Sequence, residues 1–158
     1  MIKLLILLSL FIPLLGQEKL YRLPDHHSRF TYDLNHILKK STHITISSPS
    51  FNHAALKKAI LQRARKGSSI TFVVNNPKGD PLTMVQYERI NLYVSSHPIH
   101  QTLFLIDDSL VCTLDGNFDE EELSSQHHLI RCSDDQHTIQ TLKGSFIAIL
   151  KHSKPYLE

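Results

Sequence analysis

The sequence lacks a strong excess of charge. Its 17 lysines and arginines against 15 aspartates and glutamates give a formal +2 with histidines neutral, so bulk charge selects no class of partner. Cysteine is scarce: Cys112 and Cys132 are the only two, and they form no C-x-x-C spacing of the kind that holds zinc. No apolar run reaches the twenty or so residues that a membrane-spanning helix needs. No repeat or low-complexity tract is present, which excludes two copies of one functional motif within the chain.

What is there begins with MIKLLILLSLFIPLLG, a single positive charge at Lys3 followed by apolar residues as far as Leu15. Residues 1–16 have the shape of a secretory signal peptide, with retention as an N-terminal membrane anchor as the alternative. No cysteine follows the run, so a lipoprotein anchor has no attachment point. Either outcome exports the chain, to the periplasm or beyond the cell. Loss of Lys3 with the signal would leave a formal charge of +1. Residues 17–28 read as a polar connector and 29–158 as one domain, because 158 residues fill one substantial core.

An exported chain meets conditions that permit disulfides, so Cys112 and Cys132 are a candidate pair. Each also lies in an apolar run, where a buried free thiol is the alternative. Eleven histidines would add positive charge as pH falls towards about 6, which favours anionic ligands in acid. Among them, the adjacent pairs His26-His27 and His127-His128 and the scattered His43, His53 and His137 lack the i, i+4 spacing of a strong zinc site. No metal is expected.

Periodicity predicts an α/β domain. Phe30, Leu34, Ile37 and Leu38 share one face of a helix over Arg29–Lys40; His43–Ser47 alternates as a strand and ends at Ser48-Pro49-Ser50. A second helix runs from Asn52, as N-cap, to Lys66, with Gly67 as its stop. Ser69–Val74 is the next strand, so a right-handed βαβ unit is expected. A weaker helix over Leu82–Asn91 and a short strand at Leu92–Val94 follow. His100–Ile106 and Leu110–Leu114 form a hairpin through Asp107-Asp108-Ser109, His127–Cys132 adds a strand, and Thr138–Leu150 a closing helix.

Within that hairpin His100, Thr102 and Asp107 fall at the spacing H-x-K-x-x-x-x-D, and Asn117-Phe118 follow the second strand. From His100 to Phe118 the chain resembles the phospholipase D superfamily, and over roughly residues 25–155 its small single-motif nucleases. The resemblance implies a layered α/β/α domain with a mixed sheet. It also implies a metal-free, cofactor-free phosphodiesterase acting on nucleic acid or phospholipid. His100 would attack phosphorus to give a phosphohistidine, and a second histidine would protonate the leaving oxygen. Asp107 would orient the histidine, or serve only as a turn acid. Asn117 would donate to the phosphate from its loop. Since such a site takes two motifs and this chain has one, the resemblance implies a homodimer that pairs two copies of His100.

The family lysine is here Thr102, the remaining candidate for contact with the phosphate. A hydroxyl supplies no charge, and losing such a donor costs on the order of 3 kcal/mol of transition-state stabilisation. The loop glycine and serine are replaced by Leu114 and Asp115, and Gln126-His127-His128 stands where many members carry a glutamate. Two functions therefore stay open: an exported phosphodiesterase, or an impaired relative that binds a phosphate-bearing ligand or a protein partner. Lys57, Lys58, Arg63, Arg65 and Lys66 form a candidate anion-binding surface, or simply the solvated face of their helix. No aromatic residues interleave with these cations, so base stacking is not indicated there.

Overall fold

Alternating and helically spaced apolar residues resolve into ten strands and four helices in the computed structural model, which describes residues 16–76 and 89–157. In chain order these are β1 (Glu18–Arg22), α1 (His27–Leu38), β2 (His43–Ser48), β3 (Phe51–Asn52), α2 (Ala54–Arg65), β4 (Ser69–Val74) and β5 (Ile90–Ser95). Then come β6 (Gln101–Ile106), β7 (Leu110–Asp115), β8 (Phe118–Asp119), α3 (Glu120–Ser125), β9 (Leu129–Ser133), α4 (Gln136–Lys151) and β10 (Ser153–Pro155).

Eight strands make one mixed sheet in the order β1-β9-β7-β6-β2-β4-β5-β10, and β3 pairs with β8 in a small second sheet. The expected βαβ unit is present: β2 and β4 are parallel neighbours joined through α2, and β5 extends the parallel group. The expected hairpin joins β6 to β7 with Ile106 opposite Leu110. Both Asp107 and Asp108 have positive φ, a conformation that aspartate tolerates better than most residues.

Alternation along β6 divides the core in two. Phe104 and Ile106 join Phe30, Leu34 and Leu38 of α1 and Leu56 and Ile60 of α2 on one face. Leu103 and Leu105 join Ile139 and Phe146 of α4 on the other. Burying each such side chain contributes roughly 1.5–3 kcal/mol, which is what holds helices on both faces of the sheet. The architecture is thus the layered α/β/α domain with a mixed sheet.

The structure departs from the sequence reading in several places. Part of the polar connector 17–28 is β1, an edge strand paired antiparallel to β9, and α1 begins within it at His27. At the start of α2 the cap position is His53, with no side-chain cap bond, while Asn52 belongs to β3. The helix expected over Leu82–Asn91 lies mostly outside the described residues, but Ile90 and Asn91 belong to β5. The signal or anchor assigned to residues 1–16 also lies, apart from Gly16, outside the described residues.

Cys112 and Cys132 form a disulfide between directly opposed positions of β7 and β9, with Cα atoms 4.0 Å apart. This selects the paired alternative over two buried thiols.

Candidate active site

Parallel strands β2, β4 and β5 point their C-terminal ends to one edge of the sheet, the position where open α/β sheets bind ligands. Because β6 runs antiparallel to β2, its N-terminal end and the loop after β7 reach the same edge. His100 sits there, exposed, immediately before β6. Its carbonyl accepts a hydrogen bond from the Gly116 amide at 3.0 Å, which ties the histidine to the loop that carries Asn117. Gly116 holds φ +98, open to glycine but strained for other residues.

Asn117 is brought to the site, but its amide nitrogen donates to Glu122 Oε1 at 2.9 Å. One of its two N–H groups is thereby committed to a carboxylate on α3. Asp115, also at this edge, accepts from Gln101 Nε2 at 3.1 Å, and Asp119 accepts from Ser50 Oγ. The surroundings of His100 are consequently richer in acids than the motif alone suggests.

Thr102 corrects the expectation of a phosphate contact. Its side chain is fully buried, its Oγ1 donates to the Gly116 carbonyl at 2.8 Å, and the Ser48 hydroxyl lies 2.7 Å away. Ser48 in turn donates to the Ser50 carbonyl. The threonine therefore seals the space under the loop, joining β2, β6 and the β7–β8 turn, and presents nothing to a ligand.

Asp107 is also corrected. It lies at the far end of β6 from His100, about 20 Å away at the rise of an extended strand, and cannot orient that ring. Its Oδ1 accepts from the Thr42 and His43 amides, each at 2.8 Å, and from Thr42 Oγ1 at 2.9 Å. Partial burial pushes its carboxyl up, but the bonds from His43 and Thr42 outweigh this and hold it below the usual range. The motif aspartate is a clasp between the hairpin and the start of β2.

Not every cation of α2 is available to a ligand. Arg63, near the end remote from His100, donates from Nε and Nη2 to the Ser41 carbonyl and from Nη1 to the Lys39 carbonyl, closing the turn after α1. Lys58 and Lys66 are exposed, whereas Lys57 and Arg65 have interactions of their own. The candidate anion surface loses Arg63 to architecture.

Sequence reasoning gave no role to His53, which is 1% exposed, stacks on Phe118 at 5.5 Å and has its ring 5.7 Å from that of His27. Among the described residues neither of its nitrogens has a partner, and burial pushes its pKa down against the pull of Glu120, with His27 adding to the depression. Its position before α2 offered no signal of burial. Arg131 on β9 was likewise passed over, although its polarity between Ile130 and Cys132 marks the outward side of that strand. Among the described residues no group of three or more His, Cys, Asp or Glu converges on a metal position.

The layered α/β/α domain with its mixed sheet has the phospholipase D-like fold of several solved structures. The chain is similar to NucT from Helicobacter pylori, with a TM-score of 0.79 and 17% identity, over 89% of this chain and 99% of that one. It is also similar to Nuc from Salmonella typhimurium, a phospholipase D family member, with a TM-score of 0.75 and 14% identity over 90% and 99%. Phosphatidylserine synthase from Haemophilus influenzae shares the fold at a TM-score of 0.70 and 11% identity, but this chain covers only 41% of it. No family model and no curated protein matches the sequence.

Proposed function

We propose that this chain is an exported phosphodiesterase of the phospholipase D-like nuclease type, acting on phosphodiesters of nucleic acid or phospholipid. The observation that carries the reading is His100, exposed at the ligand-binding edge of the sheet and tied to the Asn117 loop. In this mechanism the imidazole attacks phosphorus, a second histidine gives its proton to the leaving oxygen, and water then releases the phosphohistidine. A two-fold dimer supplies that second histidine as His100 of the other copy. Asn117 keeps one N–H for the phosphate while Glu122 holds the other.

A second reading has its own observation. Thr102 fills the lysine position with a buried hydroxyl network instead of a charge, which favours a phosphate-binding relative whose chemistry is impaired. The experiment that separates the two incubates the protein with a fluorogenic phosphodiester and with single-stranded DNA in chelator, beside His100→Ala and Thr102→Lys. Wild-type turnover that disappears with His100→Ala would remove the impaired reading. Turnover seen only after Thr102→Lys would remove the enzyme reading. Crosslinking or ultracentrifugation of the same samples tests the dimer.

A further inference from the structure

Next to His100, the ends of β6, β7 and β9 open into a cleft of about 530 Å3 whose lining includes Gln101, Thr113, Asp115, His127, His128 and Arg131. We propose that this cleft is an anion subsite, in which Arg131 with His127 holds a backbone phosphate of a single-stranded nucleic acid that runs on towards His100. The proposal deepens the phosphodiester reading of the site and rests on it.

Arg131 is the first reason. It is exposed on β9, opposite Thr113 of β7, and its guanidinium has no hydrogen-bond or ion-pair partner among the described residues. Arg63 shows the alternative, since all three of its nitrogens are spent on carbonyls. The one carboxylate lining the cleft, Asp115, is engaged by Gln101 and not by Arg131. A planar guanidinium left unpaired beside a polar cleft suits bidentate contact with phosphate oxygens.

Continuity with His100 is the second reason. Gln101 borders both this cleft and a smaller hollow of about 180 Å3 that His100 lines. The strands of His100 and Arg131 are separated by β7 alone, and the register sets Arg131 level with Leu103, so the two positions stand about 14 Å apart, two strands across and three residues along. Among the described residues, Leu129 lines the cleft and Leu20 of β1 lies opposite Arg131 as exposed large apolar side chains, too few to seat acyl chains, so the polar backbone of a nucleic acid suits it better than a lipid surface.

The test measures binding of a short fluorescein-labelled oligothymidylate by anisotropy across a salt series, in the full chain and again in its His100→Ala variant. Arg131→Gln is expected to weaken binding about tenfold or more in both backgrounds. It should also reduce the slope of log affinity against log salt by about one. Arg131→Lys should recover part of the loss, and Asp115→Asn should tighten binding. Unchanged affinity and slope in Arg131→Gln, with an unchanged melting temperature, would overturn the proposal. So would Arg131-dependent binding of phosphatidylglycerol vesicles without binding of the oligonucleotide. Arg131-dependent binding in a wild-type protein that turns nothing over would uphold this subsite and remove only the catalytic reading.

Discussion

The two ends of β6 carry the first and last residues of one motif and do opposite work. At the start, His100 is exposed beside a small hollow and a loop turned by a glycine. At the other end, Asp107 spends one carboxylate oxygen on three donors from Thr42 and His43. The difference teaches that membership of a motif is not membership of a site. A strand carries residues at its two ends far apart, and only one end of a parallel group faces a ligand.

The sharpest way to break the comparison is to substitute each end and read both activity and stability. His100→Ala is expected to abolish phosphodiester turnover while leaving the urea midpoint within error. If instead it unfolds the chain and spares turnover, the assignment of the two ends is reversed.

Between the ends, the Cys112–Cys132 disulfide spans a sequence separation of 20 and pins β7 to β9. Replacing both cysteines with serine should cost about 3 kcal/mol of stability, the scale expected for a loop of that length. Urea denaturation of the two proteins measures it, and a loss well under 1 kcal/mol would mean that the strand pairing holds without the bridge.

A smaller effect belongs to Asp107→Ala. Three hydrogen bonds to a carboxylate would be lost, but the group is solvent-exposed, so a cost of about 1–2 kcal/mol is expected with binding of the oligonucleotide unchanged. The folded pKa of Asp107 is depressed, so this contribution is present above the ordinary carboxylate value of 3.8 and is lost as pH falls through the folded value. Denaturation curves of wild type and variant should therefore converge in strong acid.

The smallest expected effect concerns His53 beneath Phe118. Its pKa is depressed below the ordinary 6.5, so the unfolded chain takes up the proton first. Stability present above that value should decline as pH falls through the folded one. His53→Phe should flatten the decline in a melting-temperature series, and an identical pH profile in the variant would assign it to other histidines.

Much of this fold was legible because its signals are local. Ile44 and Ile46 alternate, Ala59 and Ile60 recur helically, and Asp107-Asp108-Ser109 turns. Each follows from backbone geometry within a few residues. Strand β1 was missed because its apolar content is slight, Leu20 and Tyr21 alone, and its pairing with β9 is fixed more than a hundred residues away. For the candidate site, the spacing pointed to His100 and Asn117, which the fold brings to one edge of the sheet. It could not reveal that Thr102 is sealed beneath the loop, that Glu122 takes one Asn117 donor, or that Arg63 closes a turn.

By itself the sequence determined the class of fold, the hairpin that carries His100 and the two cysteines available for pairing. Periodicity and motif spacing are properties of neighbouring residues, and those neighbours stay together however the chain packs. Only the tertiary structure decided that Asp107 is a clasp, that the cysteines are bonded and that Arg131 stands beside a cleft with no partner among the described residues. Each of those depends on which distant strand comes to lie alongside, and that is set by burial of the whole core.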